Sequence, residues 1–103
     1  SLDGEGSNIH RLLTAAVGIS AEGGEFMEIV KKMVFQGKPW NHDNREHLII
    51  ELGDVMWYVM QACAALNVTL DEVIEGNVDK LKKRYPGGDF DVHYSENRAA
   101  DDR

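Results

Sequence analysis

The sequence predicts an all-α protein, a helical bundle of three to four helices completed by association with further copies of itself. Three observations carry this. Apolar residues recur at the three- and four-residue spacing of an amphipathic helix through most of residues 9–81. No stretch alternates polar and apolar as a half-buried strand does. The longest apolar run, residues 48–66, is broken only by Glu51, Gly53, Asp54 and Gln61, and so reads as a central helix buried nearly all round.

Residues 1–7 are polar and glycine-containing and are expected to be a disordered end or an expression remnant. A short helix follows, with Ile9, Leu12, Leu13, Ala16 and Val17 as its stripe and Ser7 or Asn8 as its cap; Gly18 loosens it. A second helix spans residues 22–35, with Phe26, Ile29, Val30 and Met33 facing the core. Inside it Gly23 and Gly24 each cost roughly 1 kcal/mol relative to alanine, so close approach of another helix or of a ligand is expected there. Residues 36–42 form a loop. Asp43, three residues before Glu46, has the spacing of a capping box for the central helix, and Thr69 with Glu72 has it for the last one. That last helix carries Leu70, Val73, Ile74, Val78 and Leu81 to about Tyr85, where Pro86, Gly87 and Gly88 stop it. Residues 89–103 hold too few apolar side chains for another core element and are expected to be an extended tail.

A chain of 103 residues has room for one domain, placed at residues 8–88, and a helical core this small is often completed by oligomerisation, here a homodimer or homotetramer. With 11 basic against 18 acidic residues the net charge is −7, which argues against a nucleic-acid binder working through a broad basic face. A single cysteine, Cys63, fits a reducing, cytoplasmic setting. No secretory leader is visible, and Glu51 and Asp54 stand too near the middle of the apolar run for a membrane span.

The chemistry is concentrated in carboxylates. Glu51 and Asp54 are three residues apart, so they lie about 60° from each other one turn along the helix, in surroundings where an unpaired charge costs several kcal/mol. Glu22 and Glu25 repeat that spacing on the preceding helix, and the short loop makes the two helices antiparallel neighbours. Face to face they form a four-carboxylate box. Such an all-oxygen set suits Mg²⁺, with Mn²⁺ as a substitute, rather than zinc. A di-iron site would require Glu-x-x-His motifs, which are absent. The plainer alternative, a solvated acidic face, fits Glu22, Glu25 and Glu28 better than it fits Glu51 and Asp54. The four histidines form no constellation, and His42 with Asp43 reads as loop and cap.

These residues resemble the MazG-like all-α nucleoside triphosphate pyrophosphohydrolases. The resemblance runs through residues 12–98 and rests on residues 18–25 (GISAEGGE), 51–58 (ELGDVMWY) and 77–86 (NVDKLKKRYP), and on Asn97 with Arg98. It implies Mg²⁺-dependent cleavage of a nucleoside triphosphate between the α and β phosphates, with Glu22, Glu25, Glu51 and Asp54 as metal ligands. Ala21 stands where many members carry a further glutamate. If that glutamate assists the attacking water elsewhere in the family, the task falls here to Glu28 or to the metal site itself. Lys80, with Lys31 or Lys32 and Arg84, would add positive charge for the phosphates, and Asn77 would orient a carboxylate or a phosphate oxygen. Tyr58, one turn after Asp54, has the best claim to the base; Trp40 is a candidate lid or subunit contact, and Trp57 is assigned to the core. The tail, with Tyr94, Asn97 and Arg98, is expected to order over the phosphates. Two alternatives stand beside this reading: a non-catalytic helical oligomerisation or partner-binding module retaining a structural metal, and a relative acting on another pyrophosphate-bearing nucleotide such as deoxyuridine triphosphate or phosphoribosyl-ATP.

Overall fold

A computed structural model describes residues 5–87, which form three helices: α1 (Glu5–Phe35), α2 (His42–Leu66) and α3 (Leu70–Arg84). The tail with Tyr94, Asn97 and Arg98 lies outside the described residues. The chain divides into two compact units, Ser1–Val68 and Thr69–Arg103. The first is an antiparallel hairpin of α1 and α2; the second contains α3.

Two boundaries differ from expectation. The helices expected around residues 8–17 and 22–35 are one continuous helix, and it begins at Glu5, inside the segment expected to be disordered. Three glycines, Gly18, Gly23 and Gly24, fail to interrupt it. No proline removes a helical hydrogen bond there, and α2 packs along α1. Burial along that interface outweighs the roughly 1 kcal/mol that each glycine costs.

The interface has a seven-residue period. The shielded residues of α1 include Leu12, Ala15, Ile19, Glu22, Phe26, Ile29 and Met33, at alternating three- and four-residue steps. On α2 the same rhythm passes through Asn44, Leu48, Glu51, Val55, Tyr58, Ala62 and Ala65. This is the seam of a two-stranded coiled coil, run antiparallel. Its register is marked by Arg11, whose Nη2 and Nε donate to Gln61 Oε1 at 2.9 and 3.2 Å, and by Gly18, which meets Tyr58 further along.

The ends of the helices follow from local chemistry. Gly37, at φ 68°, turns the chain out of α1, and the Lys38 N–H bonds back to the Lys32 carbonyl at 3.2 Å. This is a Schellman-type ending that a glycine permits. The cap of α2 is Asn41 rather than the expected Asp43; its side chain accepts from the Asn44 N–H at 2.9 Å. Asn44 Nδ2 in turn donates to the Pro39 carbonyl at 2.6 Å, tying the loop to the first turn of α2. Asn67 ends α2 in the left-handed region at φ 57°. Thr69 caps α3 as expected, its hydroxyl accepting from the Glu72 N–H at 3.1 Å.

Only one side of α2 is covered. Ile49, Ile50, Leu52, Met56, Trp57, Met60 and Leu66 are all exposed on this chain, against the expectation of a helix buried all round, and Trp57, assigned to the core, is 61 % exposed. By length and composition α2 would suffice to cross a membrane. The core helix of a bundle has the same composition, and Glu51 and Asp54 sit near its middle.

A Cβ at Gly18 would fall on the Tyr58 ring, whereas one at Gly76 would meet open space. Gly18→Ala is therefore expected to destabilise the protein by about 1–3 kcal/mol through overpacking, and Gly76→Ala to stabilise it by about 0.5–1 kcal/mol through helix propensity. Urea denaturation of the two variants checks the opposite signs.

Candidate active site

The seam that holds the hairpin together also builds the site. Glu22 and Glu51 occupy core positions of the heptad pattern, so the packing of their apolar neighbours brings two carboxylates together between the helices. Asp54, one turn beyond Glu51, joins them: a carboxylate oxygen from each of Glu22, Glu51 and Asp54 lies within 4.8 Å of the others. Glu22 and Glu51 are half-buried, while Asp54 is exposed and forms the open side.

The charges are poorly balanced. Oε2 of Glu51 is shielded from solvent and has no hydrogen-bond partner, although the residue as a whole is only half-buried. Glu22, within proton-sharing reach, raises Glu51 above the ordinary carboxylate range; lost solvation and the charges of Glu22, Asp54 and Glu25 push the same way. A divalent cation answers each of these features. It supplies the missing partner, cancels the repulsion and accepts an all-oxygen donor set. Glu22, Glu51 and Asp54 thus fit a metal on the grounds of this geometry.

The other expected site residues divide. Glu25 is exposed and stands outside the close group, yet near enough for its charge to act on Glu51. Glu28 lies six residues, about 9 Å of helix rise, past Glu22, and its Oε2, shielded and without hydrogen-bonding geometry, is 3.2 Å from Lys31 Nζ. Lys31 is thereby engaged away from the cluster. Tyr58 is brought in: with Leu13, Thr14, Val17, Gly18, Ala21 and Glu22 it lines a groove of about 400 Å³ whose wall includes a metal-site carboxylate. Trp40 is 69 % exposed in the loop, ten or more residues before Glu51 and so about 15 Å away along α2. Asn77, Lys80 and Arg84 belong to the second unit, where Lys80 and Arg84 line a hollow with Gly76, Asp79 and Lys83.

Sequence reading named Lys32 as a charge for the phosphates but missed the residues gathered round it. Lys32, Lys38, Asn44 and His47, with Ile29, line a second cavity of the hairpin of about 300 Å³. The signal was the seven-residue spacing. Arg11, Gly18, Glu25 and Lys32 form one row along α1, and His47, Asp54 and Gln61 form the matching row on α2, so groove, carboxylates and second cavity share one edge of the hairpin.

The chain that builds this hairpin matches a family model, the MazG nucleotide pyrophosphohydrolase domain, over residues 11–88. The chain belongs to that family. It is also similar to the Gene 37 protein of Mycobacterium phage L5, 38 % identical over 87 residues that cover 82 % of this chain and 75 % of that protein. No solved structure matches significantly. Membership in the MazG family places the protein among the nucleotide pyrophosphohydrolases and accords with a metal-dependent carboxylate site at Glu22, Glu51 and Asp54.

Glu51 yields a pH-dependent prediction. Because its folded-state pKa is raised, the folded chain holds the proton more tightly than the unfolded one. The associated stability is present below the ordinary carboxylate range and is lost as pH rises through the raised value. Glu51→Gln, which cannot ionise, should therefore raise the melting temperature of the metal-free protein by a few degrees at pH 7–8. In acid the two proteins should melt together; thermal scans in chelator across that pH range test this.

Proposed function

We propose that the protein is a Mg²⁺-dependent nucleoside triphosphate pyrophosphohydrolase that cleaves its substrate between the α and β phosphates, releasing a nucleoside monophosphate and pyrophosphate. The observation that carries this reading is the convergence of Glu22, Glu51 and Asp54 within 4.8 Å, with one shielded oxygen lacking a partner, in a MazG-family hairpin. Mg²⁺, when bound, supplies the positive charge that draws a polyphosphate into an acidic site and stabilises the leaving pyrophosphate.

The chain's own residues do the rest. Glu22 and Glu51, from the two sides of the seam, and Asp54, on its open side, would hold the cation, and Glu25, one turn along, would add its charge. The oxygen of a water bonds the α-phosphorus as the bond from that phosphorus to the α,β-bridging oxygen breaks. Pyrophosphate leaves with the bridging oxygen, and the water's proton passes to a site carboxylate. Tyr58, in a largely apolar groove beside Glu22, offers a ring on which any nucleobase stacks. That ring packs over Gly18, and a ring already in place limits the entropy lost when the base docks.

Association with a second copy follows from the uncovered side. On the edge opposite the carboxylates, α1 carries Met27, Val30 and Val34, and α2 carries Ile49, Leu52, Met56 and Leu66; all are exposed, with the three- and four-residue steps of a further seam. Gly23 lies in that stripe, with nothing within 4 Å of a Cβ built there. A second hairpin packed on this edge would form a four-helix bundle and leave the carboxylate edge open, giving a homodimer or a pair of dimers.

Incubation with nucleoside triphosphates and Mg²⁺ should release pyrophosphate with little free phosphate, and Glu51→Gln should lower turnover by at least about 100-fold, the scale of losing a metal-site group, with unchanged helix content by circular dichroism. Inorganic phosphate as first product would contradict the assigned bond; no turnover with any nucleotide would leave a helical binding module. Sedimentation at micromolar concentration should show a species of at least twice 11.5 kDa.

A further inference from the structure

The basic cavity at the turn end of the hairpin is the feature that the proposed reaction leaves unused. Its lining contains Lys32 from the last turns of α1, Lys38 from the loop and His47 from the first turns of α2, with Asn44 and Ile29 between them. In a chain of net charge −7, two lysines and an imidazole meet with no carboxylate among the lining residues. The ion pairs found among the described residues use Lys31, His42 and Arg45 instead.

The arrangement is held by backbone geometry rather than by chance proximity of long side chains. The Lys38 N–H bonds to the Lys32 carbonyl at 3.2 Å through the Gly37 turn. Asn44 fastens the loop through the Pro39 carbonyl, while its own N–H is taken by Asn41. Lys38 thus enters the cavity from a loop pinned at both ends, and Lys32 from the helix end to which that loop is tied, which lowers the entropic cost of closing them on an anion.

Position gives the anion its identity. His47 precedes Glu51 by one helical turn, about 6 Å, and Lys32 follows Glu25 by seven residues on the same edge. The carboxylate cluster lies between two unlike spaces: the groove of Leu13, Val17, Gly18, Ala21 and Tyr58 on one side and the basic cavity on the other. One is shaped for a ring, the other charged for phosphate. We propose that the basic cavity is the subsite for the terminal phosphates of the nucleotide, so that the substrate lies along the hairpin edge with its base toward Tyr58 and its β and γ phosphates toward Lys32, Lys38 and His47. This rests on the hydrolase reading of the carboxylate cluster, and it also assigns the released pyrophosphate to the loop end of the hairpin.

The test is calorimetric titration of the full chain, in Mg²⁺, with inorganic pyrophosphate, with a nucleoside monophosphate and with a non-hydrolysable nucleoside triphosphate. In the K32M/K38M variant, pyrophosphate and the triphosphate should bind at least about tenfold more weakly, the scale of losing hydrogen bonds to a charged group, and the monophosphate should bind as before. Lys38→Gln alone, a single exposed loop residue, should show the same selectivity with a smaller loss, which guards against misfolding of the double variant. Equal weakening of all three ligands, no weakening of any, or a wild-type chain that binds no pyrophosphate would each overturn the subsite. A chain that hydrolyses nothing yet loses pyrophosphate binding selectively in these variants would support the subsite and remove the hydrolase reading.

Discussion

Two glutamates facing each other across an otherwise apolar helical seam are the constraint on which this structure turns. A coiled-coil interface gains stability by burying aliphatic side chains at its core positions, and Glu22 and Glu51 occupy two of those positions. Hydrogen bonding with Glu22, then lost solvation and the charges of Glu22, Asp54 and Glu25, raise Glu51 above the usual range. The apolar layers on either side, with Ile19 and Val55 toward one end and Phe26 and Leu48 toward the other, keep the carboxylates facing each other. The fold therefore carries a local instability that a bound cation removes, the arrangement expected of a site rather than of a scaffold.

The same seven-residue period explains why the hairpin has two unlike edges. On one, Gly18 admits the Tyr58 ring, Glu25 flanks the carboxylate cluster that Asp54 completes, and Lys32 and His47 line the basic cavity. On the other the exposed residues are chiefly Leu, Ile, Met and Val. A helix pair with seam, functional edge and apolar edge can bury the last against its own copy while leaving the middle of the functional edge open. Gly23 reads accordingly. Its open surroundings on one chain suit close approach by another backbone.

Much of the fold was legible because helical periodicity and caps are local. Thr69 and Glu72 behave as their spacing says, and Gly37 supplies the positive φ its place after α1 requires. Where local signals competed, they misled. Gly18 resembles a helix end but lies within α1, buried under Tyr58, because packing along the seam overrides propensity. Asp43 has the capping-box spacing, but Asn41 caps α2, since Asn44 is tied to Pro39 and fixes the loop so that Asn41 reaches the helix N-terminus first. Lys31 and Lys32 are neighbours in sequence. The phase of α1 turns Lys31 to Glu28, three residues back, and Lys32 to the edge where the tertiary structure builds the basic cavity.

The sequence by itself determined the helical class, the paired carboxylate spacing and its family, because each depends on residues within one turn of another. It also carried the apolar excess of α2, part of which stays exposed among the described residues. The tertiary structure decided which carboxylates converge: Glu22, Glu51 and Asp54 meet, Glu25 stands beside them and Glu28 is drawn off by Lys31. It also decided that groove, cluster and basic cavity share one edge. Those outcomes depend on the register of two antiparallel helices. Register is set by side chains far apart in sequence, such as Arg11 and Gln61, separated by 50 residues, whose pairing no local pattern in the chain encodes.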